Sequence, residues 1–296
     1  MQKNGNLKKK MPSCIFCGQS KVSKEHLWGA WWREYYPPSD KDMLARNKHT
    51  ITTLESNNLL GTERGQFSNV GAPISATTKV VCEECNNTWM SQIEQGMKTT
   101  FRKYYITLEN YIDPESVTRL QRWMYLKFCL LDRSYEIQNT LIPDSHPDKD
   151  RIEKIIRTKR TARWRDFCGG ENIPDKYRFF IARSDDPYQL GSFNHIPMLL
   201  LRQEPDLDVH LVDTCMYFNG HFLGLITNHK KLADHLGNVN GNHDSTESLT
   251  ELSMEYPEMR NESVVQGSVF EETVLSELET DRVRRYRRNF DLDTTA

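Results

Sequence analysis

Four of the seven cysteines have the spacing of metal ligands. Cys14 and Cys17 form one Cys-x-x-Cys pair, and Cys82 and Cys85 form the second. Two such pairs can place four thiolates tetrahedrally around one Zn²⁺ ion, and this closed shell leaves no position for a catalytic water. The sequence therefore predicts a structural zinc site, and the ion would tie together a long excursion of 64 residues between Cys17 and Cys82.

Three polar residues with catalytic chemistry lie beside these pairs. Glu25 is eight residues beyond Cys17, His26 follows Glu25 directly, and Asn86 follows Cys85 directly. The order Cys-x-x-Cys, acid-His, Cys-x-x-Cys-Asn resembles the HNH endonuclease superfamily. Within it, the arrangement is most similar to the four-cysteine zinc branch typified by phage endonuclease VII. The resemblance covers about residues 13–100, a third of the chain.

The resemblance implies a ββα-metal fold and a reaction. In that family the histidine after the acid is the general base that activates water, a role that requires a pKa near neutrality and that His26 could fill. The acid and the final asparagine hold one divalent cation, which implies Glu25 and Asn86 as ligands of Mg²⁺ or Mn²⁺. The cation stabilises charge in the transition state of phosphodiester cleavage. We therefore expect an endonuclease that acts on DNA.

The sequence departs from the family pattern in two positions. The acid is Glu25, where the family usually has Asp. The family's middle asparagine, which orients the histidine, has no counterpart in Thr77-Thr78-Lys79, where a threonine hydroxyl is the alternative. The 55 residues between His26 and Cys82 are also more than usual, so residues 37–76 are interpreted as an insertion.

Simpler interpretations of the same residues stay open. Glu25 and His26 could be a surface pair without a role. Asn86 could be a plain cap of the following helix, since asparagine favours that position, and Asn87 is an alternative ligand.

Hydrophobic periodicity predicts an α+β protein with three parts. Residues 13–109 form the zinc-bound, HNH-like domain, residues 110–243 form a mixed helix and antiparallel-strand domain of unknown role, and residues 244–296 form an acidic segment with an Arg-rich end. Helices are expected after Cys85, from Asp113-Pro114 onward and at 148–160. The expected strands are Thr77–Val81, Tyr177–Arg183, Ile196–Arg202, Val209–Phe218 and His221–Thr227. Asn219-Gly220 predicts a tight hairpin turn between the last two strands.

The remaining cysteines and the N-terminal tryptophans are expected in the core. Cys129, Cys168 and Cys215 stand singly in apolar or aromatic surroundings, which is typical of buried thiols. We expect Trp28, Trp31 and Trp32 to pack over the zinc domain instead of stacking on bases.

Charge is distributed unevenly along the chain. Residues 1–109 carry 15 Lys/Arg against 10 Asp/Glu, net +5, and residues 244–296 carry 6 against 13, net −7. A mildly basic front end permits a nucleic-acid partner. The arginines 282–288 are interpreted as a solvated face that pairs with nearby acids. With no export signal and no apolar run of the roughly 20 residues that cross a bilayer, we expect a cytoplasmic protein.

Two alternatives to a DNA endonuclease follow from the same pattern. The first is a non-catalytic zinc-binding module that grips nucleic acid or a protein partner. The second is an RNA-cleaving nuclease, because one-metal hydrolysis does not require a deoxyribose. The second domain could select the target, bind a regulatory partner or form a homodimer.

Overall fold

The computed structural model of the protein describes residues 13–35, 53–55, 58–60, 77–106, 112–136, 147–202, 208–238 and 250–251. In these residues helices combine with antiparallel sheets, which confirms the predicted α+β class. Most of the 37–76 insertion, the arginines 282–288 and all but two residues of 244–296 lie outside the described residues. The predictions made for them, and the proposed domain limits, stay predictions.

Among the described residues of the first third of the chain there are four strands. In chain order they are β1 (Val22–His26), β2 (Thr53–Glu55), β3 (Asn58–Leu60) and β4 (Thr77–Cys82). β2 and β3 pair as a short hairpin, and β1 pairs antiparallel with β4, so the predicted strand before the second cysteine pair is confirmed. The β1–β4 register places Val22 opposite Cys82 and His26 opposite Thr77.

A long helical run, α1, begins directly after β4. It comprises the α-helical Glu83–Cys85 and Ser91–Phe101 and the π-helical Asn86–Met90 and Arg102–Ile106. Its N-cap is Cys82, whose sulfur accepts a hydrogen bond from the backbone amide of Cys85 at 3.5 Å. The interpretation of Asn86 as the helix cap is therefore wrong, because the Cys82 sulfur already satisfies an amide that a cap side chain would take.

Helix α2 (Pro114–Glu136) begins as predicted. The Asp113 carboxylate accepts a hydrogen bond from the backbone amide of Ser116 at 2.8 Å, which is the geometry of an N-cap. Apolar residues that recur at three- and four-residue steps along this helix are fully buried: Val117, Leu120, Met124, Phe128 and Leu131.

Helix α3 (Lys149–Asp166) extends six residues past the predicted end at 160. Its residues Ile152 and Ile156 are buried, as expected from their spacing. No helix in the described ranges is long and apolar enough to cross a membrane.

The second sheet has three strands in the order β6-β5-β7, from β5 (Arg178–Arg202), β6 (Asp208–Thr227) and β7 (Thr250–Glu251). Helix α4 (Lys230–Asn238) follows β6. The predicted turn at Asn219-Gly220 is wrong, since both residues lie within β6. The irregularity lies in β5 instead. Arg183 pairs with Phe222 and Tyr188 pairs with Gly220, so an advance of five residues along β5 corresponds to only two residues along β6. Pairing along both strands thus overrides the local turn preference.

One hydrophobic core joins the paired strands β1 and β4 to the helices and to the β6-β5-β7 sheet. Trp28 and Trp32 are fully buried and meet edge to face at 5.2 Å between ring centroids. Trp123 of α2 lies 5.5 Å from Trp28 and 5.9 Å from Trp32. The prediction that these N-terminal tryptophans pack in the core is confirmed for both residues.

A buried ionic network links α2, α3 and β6. The Arg163 guanidinium donates to Asp213 at 2.7 Å and pairs with Asp132 through its other terminal nitrogen. Both carboxylates are almost completely buried, since the side chain of Asp132 is 0% exposed and that of Asp213 is 1% exposed. Burial alone would raise the pKa of Asp213, but Arg163 and His195 hold it below the ordinary value. Arg163, together with Arg160, whose Nε lies 2.9 Å from Asp132, therefore neutralises two carboxylates that water cannot reach.

We expect Arg163→Met to destabilise the fold by about 3–5 kcal/mol, because the substitution leaves the buried Asp213 carboxylate without its arginine partner. Urea denaturation followed by circular dichroism measures the effect. Lys154→Met is the matched control, since Lys154 is exposed on the same helix, and it should change the free energy of unfolding by less than about 0.5 kcal/mol. Equal stability of the two variants would contradict this assignment.

Candidate metal centre and adjoining polar site

The first cysteine pair lies in a tight loop attached to the edge of β4. The Cys14 amide donates to the Gln19 carbonyl at 2.8 Å, and the Gly18 amide donates to the Cys14 carbonyl at 2.9 Å. Gly18 has φ of +82°, a conformation that side chains rarely adopt. The Ile15 amide donates to the Val80 carbonyl at 2.9 Å, which holds the loop beside the second cysteine pair.

The second pair lies where β4 passes into α1, so a strand end and a helix start face the loop. The Sγ atoms of all four cysteines lie within 4.8 Å of one another, and those of Cys17 and Cys82 are 3.5 Å apart. Tetrahedral coordination with Zn–S bonds of about 2.3 Å separates the sulfurs by about 3.8 Å. The four cysteines can therefore hold a zinc ion, as the spacing predicted.

The electrostatics of the loop favour the thiolate form of one cysteine. Burial works against ionisation of Cys14, but the nearby backbone amides of Cys17, Cys82 and Phe16 lower its pKa to about 7. The pKa of Cys17 is raised, chiefly by burial. A bound cation would deprotonate the remaining thiols, because thiolate is the form that ligates metal.

Aromatic packing encloses the four sulfurs. The ring of Phe16 lies 4.9 Å from the ring of Trp89 on α1 and 6.2 Å from that of Phe167 after α3. Trp89 also contacts Phe167 at 5.8 Å between centroids. The cysteine loop is therefore part of the main core and not a separate module.

The prediction of a buried thiol is confirmed for Cys129 and Cys215 but wrong for Cys168, which is exposed. Helix α3 ends at Asp166, and the next residue, Phe167, turns into the core with no exposed surface. Cys168 then lies in the turn that follows. The aromatic neighbour occupies the buried position that the sequence suggested for the thiol.

Glu25 and His26 are the last two residues of β1, and Asn86 lies on the first part of α1. Glu25 is 8% exposed, and His26 and Asn86 are half-buried. The Asn86 amide nitrogen lies 3.5 Å from the Lys24 carbonyl oxygen, and its side chain is within hydrogen-bonding reach of the Glu25 carboxylate. The structure thus brings Asn86 beside Glu25 where the end of β1 meets the start of α1, and His26 is the next residue along β1.

The surroundings move the pKa of both titratable residues. Burial raises the pKa of Glu25 above its ordinary value of 4.5, although the nearby Lys127 ammonium opposes the shift. Burial, together with the positive charges of Lys127 and Arg33, lowers the pKa of His26 below 6.5. His26 is therefore neutral at pH 7, which is the form that can accept a proton from water.

Lys127 and Glu94 are parts of this site that the sequence analysis missed. The Lys127 ammonium lies 2.5 Å from Glu94, 3.6 Å from Glu25 and 3.0 Å from the His26 carbonyl oxygen. Its side chain is 1% exposed. A signal was available, because Lys127 stands seven residues after Leu120 and four before Leu131, on the buried stripe of α2. A lysine at such a position needs a buried anion.

Glu25 and Asn86 are the residues of this site that could hold a divalent cation. Mg²⁺ is usually held by one or two carboxylates together with waters and substrate phosphates. The Glu25 carboxylate and the Asn86 amide supply two adjacent oxygen-bearing groups, and the half-buried Asn86 leaves an approach from solvent. Lys127 reduces the net negative charge beside them, so the arrangement favours weak binding.

Comparisons with known proteins return no match: no protein-family model, no curated protein and no solved structure is significantly similar to this chain.

We expect purified protein to contain one zinc ion per chain and Cys14→Ser to lose both the zinc and most of its soluble yield. A structural zinc site contributes on the order of 10–16 kcal/mol, which is comparable to the whole stability of a typical domain, about 5–15 kcal/mol. Metal analysis by mass spectrometry measures the content. Cys168→Ser changes a further thiol, which lies within hydrogen-bonding reach of Cys85, and it should keep one equivalent because the four cysteines already complete the coordination. Full zinc content in a stable Cys14→Ser variant would show that Cys14 is not a ligand.

Proposed function

We propose that the protein is a metal-dependent endonuclease of the HNH type that hydrolyses phosphodiester bonds in DNA. The observation that carries the proposal is the contact of Asn86 with Glu25, which precedes His26 on β1, beside a four-cysteine cluster on two paired strands followed by a helix. The order of these elements, two antiparallel strands and then a helix, is the order that a ββα-metal site requires.

Each residue has a role that its position supports. His26, neutral at pH 7 and half-buried, accepts the proton of the attacking water. Glu25 and Asn86 would hold a Mg²⁺ or Mn²⁺ ion, which supplies charge stabilisation at the scissile phosphate when bound. The four cysteines fix the start of α1 against β1, so a structural zinc ion positions Asn86 relative to Glu25.

Thr77 stands where an orienting residue for His26 is needed. The family pattern has an asparagine before the second cysteine pair, and here Thr77 lies directly opposite His26 in the β1–β4 register. Its hydroxyl is available on the neighbouring strand at the same level along the sheet. This placement supports the substitution of threonine for asparagine that the sequence left open.

The charge on the outer face of the hairpin suits a polyanion. Lys24 of β1 and Lys79 of β4 are exposed, as are Lys21 and Arg33 at the two ends of this region. Lysine and arginine side chains contact phosphates without reading sequence. DNA and RNA present the same phosphates, so an assay must include both.

A non-catalytic zinc module is the second candidate, and one observation favours it. The Glu25 carboxylate is already beside a buried ammonium, with Lys127 at 3.6 Å. An ion-paired carboxylate is a weaker ligand for a second cation. In this alternative the protein binds nucleic acid through zinc-stabilised surfaces and cleaves nothing.

We expect wild-type protein to cut plasmid or single-stranded nucleic acid when Mg²⁺ or Mn²⁺ is added and to be inactive without it. His26→Ala should lose roughly 10²–10⁴-fold in rate, the usual contribution of a general base, while keeping its zinc. His210→Ala, at an exposed position on β6, is the control and should retain full activity. Gel assays with added Mg²⁺, with added Mn²⁺ and without either separate the outcomes. Zinc-loaded wild-type protein that cuts neither DNA nor RNA would favour the binding module.

A further inference from the structure

Lys127 occupies a position between three oxygen atoms. Its ammonium contacts the Glu94 carboxylate at 2.5 Å and the His26 carbonyl oxygen at 3.0 Å, and it lies 3.6 Å from the Glu25 carboxylate. The side chain is 1% exposed, against 10% for Glu25 and 16% for Glu94. The Lys127 ammonium therefore fills a small buried space that is lined by these three oxygen atoms.

Glu94 is also held by two tryptophan side chains. One of its carboxylate oxygens accepts a hydrogen bond from the Trp31 indole at 2.9 Å. The other accepts one from the Trp123 indole at 3.1 Å. Two indole donors on neighbouring elements fix the Glu94 carboxylate beside Lys127, so Glu94 is a permanent part of the surroundings of Glu25.

We propose that Lys127 is a positioning residue whose ammonium keeps Glu94 out of the metal site, so that Glu25 is the one carboxylate offered to a divalent ion. The proposal rests on the function proposed above. Two carboxylates and a carbonyl oxygen that converge on one position would otherwise form a cage for a divalent cation. With Lys127 in place, a divalent ion has Glu25, Asn86, water and substrate phosphate as its ligands, and it can exchange.

The same ammonium fixes the strand end that carries the base. Its hydrogen bond to the His26 carbonyl oxygen joins the last residue of β1 to the middle of α2. Helix α2 lies outside residues 13–100, which carry the resemblance to the nuclease family, and outside the predicted 13–109 domain. The site residues of the hairpin are therefore supported by a residue of the second predicted domain.

Removing the ammonium should tighten metal binding. Lys127→Met keeps an unbranched side chain but removes the terminal nitrogen and its charge, which leaves Glu25 and Glu94 facing the space that the ammonium filled. We expect Mn²⁺ affinity to rise by at least about tenfold, because the loss of a neighbouring positive charge and the gain of a second carboxylate act in the same direction. Electron paramagnetic resonance of free Mn²⁺ at pH 8 measures the affinity without reference to cleavage.

Two further variants separate this role from simple support of the fold. In Lys127→Met/Glu94→Gln only one carboxylate remains, so the affinity should return toward that of the wild type. In Glu94→Gln the ammonium faces Glu25 alone, and Mn²⁺ affinity should fall several-fold. A residue with a merely structural role would not make metal binding tighter when it is removed.

The outcomes are distinct. Folded, zinc-containing Lys127→Met with unchanged or weaker Mn²⁺ binding would overturn the inference, and if that variant does not fold, unchanged or tighter binding by Glu94→Gln overturns it. Wild-type protein that cleaves DNA while Lys127→Met binds Mn²⁺ no more tightly leaves the nuclease proposal standing. Wild-type protein that neither binds Mn²⁺ nor cleaves removes the nuclease proposal, and tight Mn²⁺ binding by Lys127→Met would still support the position assigned to Lys127.

Discussion

Four cysteine sulfurs meet where a loop, the end of β4 and the start of α1 converge, and the arrangement of the candidate site depends on that meeting. The sulfurs lie within 4.8 Å of one another, a separation that suits tetrahedral coordination of one ion. Because Cys82 also caps α1, the same residue ends the strand, begins the helix and faces the metal position. Asn86, one residue past Cys85, is thereby placed beside the end of β1. The cysteine cluster and the buried residues Met90, Met97 and Phe101 together hold α1 in the position that puts Asn86 beside Glu25.

Two buried ionic groups among the described residues each have a cation between two carboxylates, and in the first of them Arg160 also pairs with Asp132 at 2.9 Å. Arg163 stands between Asp132 and Asp213, and Lys127 stands between Glu25 and Glu94. Removing either cation would leave like charges in a low-dielectric interior, where repulsion and desolvation are both large. The groups differ in their surroundings. The arginine network is closed on all sides by α2, α3 and β6, whereas Glu25 adjoins the half-buried His26 and Asn86.

Helix α2 connects these two regions. Three buried residues of this helix make the contacts. Trp123 packs against Trp28, Lys127 lies beside Glu25, and Asp132 pairs with Arg163. The helix therefore supports the hairpin and the second sheet at once. A small hairpin with one helix has little apolar surface of its own to bury, and it gains rigidity when a larger core encloses it.

Local sequence determined the parts of this protein that depend on residue type and short spacing. The four-cysteine cluster, the strand before Cys82, the Asp113 cap of α2 and the buried stripe of that helix were all predictable, because ligand spacing, capping and periodicity act over a few residues. Tertiary structure alone decided that Asn219-Gly220 continues a strand, that Cys168 faces solvent, and that Lys127 and Glu94 join the site. Each of these outcomes depends on a partner distant in the chain, whether a paired strand, a neighbouring aromatic ring or a buried carboxylate, and no local pattern records the position of such a partner.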